Sequence, residues 1–254
     1  MSIARIFASL KGVLASPVRQ KLATSTPAEI AAGMAAYYQS GASNEYYGKL
    51  DAKGQDDDIR DMERRRLFIK LCSSSRTILD LGCGTGNLAI AVARRFPSAR
   101  VYGIDIGQMA GTLGAAKDLP ENVELRSGDL LKSGYPDSHF DMVISRFVIE
   151  HVVYPQQMLQ EAHRMIRSGG LLYLVYPHLL LTAETKAKLR ELASWITGSA
   201  AITYLEPDFT GTPCADKDAV WLSNSVKVCR MMRKTGFRIV LNHLSQSLVV
   251  GQKE

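Results

Sequence analysis

Between Ile78 and Gly86 the chain reads Ile-Leu-Asp-Leu-Gly-Cys-Gly-Thr-Gly, a short apolar run carrying one acid and ending in three alternating glycines. Glycines Gly82, Gly84 and Gly86 let a backbone turn sharply and let a ligand approach it, because no side chain blocks either. Asp80 sits inside the apolar run, where a bare carboxylate is costly unless it meets a partner. No Lys or Arg occurs from Ile78 to Ala93. A phosphate loop needs a Lys after its glycines, and this turn continues Asn87-Leu88. A dinucleotide loop is spaced Gly-x-Gly-x-x-Gly, whereas the spacing here is Gly-x-Gly-x-Gly. An acid with no nearby cation suits a positively charged ligand without phosphates. S-adenosylmethionine, a sulfonium with a free amino group, fits that description.

Two more acids follow at regular intervals. Asp105 ends the next apolar run, near the offset of about 20 residues at which an acid grips ribose hydroxyls in doubly wound folds. Asp129 follows Ser127-Gly128, just past a third run. Any one of the three acids could cap a helix. Three at successive strand ends point to one ligand lying across the carboxyl edge of a sheet.

The elements that must hold these residues alternate in type. Strands are expected at Thr77–Leu81, Arg100–Ile104, Val123–Arg126, Asp141–Ser145 and Leu171–Tyr176. Helices are expected at Asn87–Phe96, Gly107–Lys117 and Pro155–Arg167, the last ended by Ser168-Gly169-Gly170. Further helices are expected at Ala183–Thr197 and Ser225–Thr235, and two closing strands at Phe237–Asn242 and Ser247–Val250. This is a doubly wound, Rossmann-like α/β fold: a mostly parallel sheet of seven strands, an antiparallel C-terminal hairpin and a helical N-terminal extension. Residues 1–66 form the extension, an amphipathic helix and a helical cap with a polar linker. Residues 67–254 form the main domain.

Together Ile78–Gly86, Asp105, Gly128-Asp129, Phe140–Ser145 and Glu161-x-x-Arg164 through Gly169-Gly170 resemble the class I methyltransferases of the "type 11" small-molecule group, over roughly residues 66–177. The resemblance implies that Gly82, Gly84 and Gly86 form the loop for S-adenosylmethionine, which leaves as S-adenosylhomocysteine. It places Asp80 at the methionine amino end, Asp105 with Ile106 at the ribose, and Asp129 with Leu130 at the adenine. Ser145 and Arg146 border the methionine portion. Two departures stand out. Asp105-Ile-Gly-Gln-Met109 is one residue shorter than the usual pattern and lacks its Ser, and Ser168 replaces a Pro.

His151, expected to open the helix after the fourth strand, and His178, after the fifth, lie on the ligand side of the sheet. Imidazole has the right ordinary pKa for a base near neutrality, and His151 is the candidate; a packing or capping role is the alternative. His163 and His243 read as helix-face and hairpin residues. O is favoured over N or C as the acceptor atom because of His151. The Asn/Asp-Pro-Pro-Tyr signature of amino methylation is absent after the fourth strand, as is a Pro-Cys nucleophile. Cys83 reads as a small packing residue. No metal site is expected. Tyr37-Tyr38 and Tyr46-Tyr47 are candidates to cap the pocket, with ordinary packing as the alternative. The insertion 179–224 is a candidate substrate lid.

The net charge of +6 raises a second reading, an RNA or protein methyltransferase. Much of the excess lies in residues 1–28, which carry Arg5, Lys11, Arg19 and Lys21 and no acid, and no nucleic-acid module is recognised. A third reading is a catalytically silent, methyltransferase-like partner subunit. The first 24 residues suit an accessory helix, a mitochondrial presequence or a peripheral membrane contact. The four cysteines show neither metal-ligand nor dense disulfide spacing, which favours a reducing compartment, so a cytoplasmic location is expected.

Overall fold

The computed structural model describes residues 26–40, 66–107, 119–176, 203–205, 220–222, 225–243 and 248–254. Residues 1–24, Tyr46-Tyr47, His178 and the helices expected at 107–117 and 183–197 lie wholly or almost wholly outside them. Helix α1 (Pro27–Tyr38) opens on a full capping box. The Thr26 hydroxyl accepts from the Glu29 N–H, and the Glu29 carboxylate accepts from the Thr26 N–H. Helix α2 (Arg66–Ser73) buries Phe68 and Cys72.

A seven-stranded sheet follows. Its strands are β1 (Thr77–Leu81), β2 (Arg100–Asp105), β3 (Val123–Ser127), β4 (Phe140–Arg146), β5 (Ile166–Val175), β8 (Phe237–His243) and β9 (Leu248–Lys253). The order is β3-β2-β1-β4-β5-β9-β8, parallel through β5 and antiparallel for the last two. The C-terminal pair is therefore turned inward: β9 is paired on both sides and β8 is the outer strand. The inner strands are covered on both faces, so they read as near-continuous apolar runs. One face packs Leu79, Leu81, Val143, Leu172 and Leu174 against α4 (Pro155–Met165) and α5 (Ser225–Thr235). The other packs Ile78, Val101, Met142, Ile144 and Tyr173 against α2 and α3 (Asn87–Arg95).

The junction of α4 and β5 differs from expectation, and β9 runs on to Lys253, past the expected Val250. Helix α4 stops at Met165 instead of Arg167, and β5 starts at Ile166, well before the expected Leu171. Ile166 is already extended (φ −75, ψ 136) and pairs with Phe140. Lys253, from the far end of the chain, donates to the His163 and Ile166 carbonyls and so satisfies the helix end. Gly169 (φ +76) then makes the irregularity in register. Short strands β6 (Thr203–Leu205) and β7 (Val220–Leu222) form a separate antiparallel pair within the insertion expected as a lid.

A half-buried ion-pair network ties α4 to the loop before β4. Glu161 accepts from Arg164 at 2.7 and 2.8 Å and from the N–H and hydroxyl of Ser133. Arg164 holds the Glu161 carboxyl down to about 2. Its native pKa lies below the unfolded value, so this stabilisation is complete above the unfolded carboxylate range and fades as pH falls toward 2. The Glu161→Gln variant is expected to lose about 1–2 kcal/mol at neutral pH. In urea titrations the gap to wild type should close progressively below pH 4.5; a gap that does not change with pH contradicts the assignment.

Candidate cofactor and active site

The glycine loop leaves β1 at Leu81 and enters α3 at Asn87. All three glycines are left-handed, at φ 84, 53 and 82, but their surroundings differ. A Cβ on Gly82 would meet the Val148 side chain at 2.3 Å, and one on Gly86 would meet Leu125 at 2.3 Å. A Cβ on Gly84 would meet nothing within 4 Å. Two glycines thus let the fold close on itself, and the middle one faces open space.

Asp105 ends β2 and reaches the loop. Its carboxylate accepts from the Gly84 N–H at 2.9 Å and from the Gly107 N–H at 2.8 Å. Burial pushes its pKa up, opposed by those two bonds and by the charge of His151. A carboxylate has about four acceptor positions, so two bonds leave capacity for ribose hydroxyls. Asp80 is buried one residue from the end of β1. Asp129 is exposed beyond β3, and its carboxylate accepts from the Leu131 N–H at 2.8 Å. The three acids stand at the carboxyl ends of β1, β2 and β3, which are neighbours in the sheet. Ile106 is half-buried beside Asp105, while Leu130 belongs mainly to the core.

On the next strand Ser145 is fully buried, and its hydroxyl has no hydrogen-bond partner among the described residues. Such a group is costly unless something else satisfies it. Arg146 is half-buried beside it. The open space at Gly84, the spare acceptor positions of Asp105 and the unmatched Ser145 hydroxyl all suit a polar, cationic nucleoside ligand, and S-adenosylmethionine fits them.

His151 does not open a helix as expected. It closes a 3-10 turn (Ile149–His151), and α4 begins only at Pro155, whose fixed φ suits the first helical position. Glu150, which sequence reasoning passed over, is buried with a carboxylate oxygen 3.9 Å from His151 Nε2. Tyr38 of α1 meets the His151 ring edge-on at 6.3 Å, so one of the two expected capping pairs does reach the site. Strand β7 of the insertion lies beside the same turn. His163 packs on Phe237 with ring centroids 4.9 Å apart, as a helix-face residue, and Cys83 is buried under the loop. Among the described residues no three His, Cys, Asp or Glu side chains group as a metal site. No helix among them is long and apolar enough to cross a membrane.

A family model described as a methyltransferase domain matches residues 79–174. The demethylmenaquinone methyltransferase of Deinococcus radiodurans is 30% identical over 181 residues, 66% of this chain and 70% of that protein. The protein of the same name from Lactobacillus johnsonii is 34% identical over 113 residues, 42% of this chain; the chain spans about half of that relative (46%). Among solved structures, an S-adenosylmethionine-dependent methyltransferase from Methanosarcina mazei superposes with a TM-score of 0.54 at 19% identity, over 71% of this chain and 93% of that one.

Proposed function

The chain belongs to the class I S-adenosylmethionine-dependent methyltransferases, and on that premise we propose that it methylates a small molecule, with a hydroxyl oxygen as acceptor and His151 as base. The observation that carries the reading is that Asp105 ties down the glycine loop at the carboxyl edge of the sheet, with His151 on the turn that follows β4 at that same edge. The cofactor supplies a methyl group already activated on a sulfonium. The chain's own work is then alignment and exclusion of water. Asp105, with Ile106, holds the ribose. Asp80 and Ser145, with Arg146 alongside, hold the methionine end, and Asp129 with Leu130 borders the adenine. The His151 imidazole would take the hydroxyl proton as the oxygen bonds the methyl carbon and the carbon–sulfur bond breaks, its electron pair staying on the sulfur of the leaving S-adenosylhomocysteine. Glu150 and the Tyr38 ring hold the imidazole against rotation. The names of the relatives bring demethylmenaquinone into the range of acceptors to try.

A transfer screen with labelled S-adenosylmethionine against sugar, phenol, amine and quinone pools tests the reading. Transfer to a hydroxyl-bearing small molecule supports it, whereas labelling only of RNA or protein overturns it. For an O–H acceptor, His151→Ala should lower kcat by about 10²–10⁴ with cofactor affinity retained. Unchanged turnover across neutral pH removes His151 as the base.

A further inference from the structure

Phe147 follows β4 directly, between Arg146 and the turn that carries His151. Its backbone is left-handed, at φ 55, and among the described residues only Ser138 shares that state without being glycine. For a bulky side chain this conformation is strained, and it persists only where its surroundings enforce it. Here the Phe147 N–H donates to the Val175 carbonyl at 2.9 Å, which pins the backbone to the end of β5. The strain does not serve to bury the ring. Phe147 is 45% exposed, and the other large exposed apolar side chains among the described residues are Val226 on α5 and Val240 on the outer strand. The Arg146 guanidinium lies 5.9 Å from the Phe147 ring centroid. A glycine here would relieve the backbone and expose no ring, so folding alone gives no account of the residue.

We propose that Phe147 is a specificity-determining residue, the apolar platform on which a flat, conjugated acceptor ring lies beside His151. The inference rests on the small-molecule reading above and names the acceptor class within it. Aromatic faces stack in offset or edge-on arrangements and gain beyond simple burial, which an aliphatic acceptor does not. The guanidinium beside the ring favours an electron-rich partner, such as a phenol or quinol losing its proton.

The test uses the full chain as wild type, Phe147→Ala, Phe147→Gly and Phe147→Trp. Naphthohydroquinone and catechol serve as ring acceptors, and trans-aconitate as one without a ring. Three quantities are read: the calorimetric Kd for S-adenosylmethionine, KM and kcat for each acceptor, and the melting temperature. Phe147→Ala should raise KM for the ring acceptors about tenfold. Its kcat and cofactor Kd should stay within about twofold of wild type. Phe147→Trp should hold the wild-type KM, and Phe147→Gly should melt no lower than wild type. An unchanged KM, an equal rise for trans-aconitate, or a lower melting point with loss of cofactor binding would each overturn the proposal. Wild type that methylates only trans-aconitate overturns the ring assignment and leaves the methyltransferase reading intact. Wild type that binds no S-adenosylmethionine overturns both.

Discussion

Gly82→Ala is expected to destabilise the domain by about 2–5 kcal/mol. Two costs add. Left-handed backbone at φ 84 costs a residue with a Cβ about 1–2 kcal/mol. The new methyl would also stand 2.3 Å from Val148 Cγ2, and overpacking of that kind costs about 1–3 kcal/mol. Neither can be relieved cheaply. The Gly82 N–H is tied to the Ile104 carbonyl at 2.8 Å, and Val148 leads into the turn that positions His151. Gly84→Ala isolates the ligand-facing contribution. It meets no protein atom within 4 Å, so its stability loss should stay near the left-handed cost of about 1–2 kcal/mol. Its affinity for S-adenosylmethionine should fall by considerably more than that of a surface Ala control. Chemical denaturation and calorimetric titration of both variants read the two effects separately. Gly84→Ala with wild-type affinity would mean that the loop does not face the cofactor.

The difference between those two glycines is invisible in the sequence, where they are alternate letters of one motif. What was legible is the buried strands. Ile78–Leu81, Val101–Ile104, Met142–Ile144 and Leu172–Val175 are apolar because both sheet faces are covered, and the acids and glycines mark their ends. Elements decided by distant contacts were not legible. The switch from α4 to β5 at Ile166 depends on Lys253, nearly ninety residues away, holding carbonyls that a local reading assigns to a glycine cap. Helix α2 is not legible as an element because it is only eight residues long and starts within the charged run Arg64-Arg65-Arg66. Its signal was the apolar spacing of Leu67, Phe68, Leu71 and Cys72. At the site, Glu150 reads as an ordinary exposed acid, and no residue type announces the backbone of Phe147. His151 was found by type, but its setting on a 3-10 turn follows from Pro155 fixing the helix start four residues later.

Asp105→Ala should weaken S-adenosylmethionine binding by about 1–3 kcal/mol, a loss of about 5- to 150-fold. The carboxylate does two things at once. It accepts from Gly84 and Gly107, fixing the loop to the end of β2, and in the proposed reading its remaining lone pairs accept from the ribose hydroxyls. Asp105→Asn does not rescue it, because an amide nitrogen would point a donor at one of those two N–H groups. Asp129→Ala is the internal control. That side chain is exposed and its one intramolecular bond is to Leu131 in its own turn, so its loss should be well under that of Asp105. The pH dependence has a definite sign. Burial raises the native pKa of Asp105 above its unfolded value, so the ligand-free fold loses stability as pH rises from the unfolded value to the native one, and the loss is constant above that. Hydroxyl donors favour the ionised form, so cofactor binding should pull the pKa down and release a proton on the acid side. Affinity should therefore decline as pH falls through the raised native pKa, and Asp105→Ala should lose that decline along with its affinity. Isothermal titration of wild type and variant in buffers of different ionisation heat measures both quantities. If the variant binds as tightly as wild type, Asp105 secures only the loop and the ribose is held elsewhere.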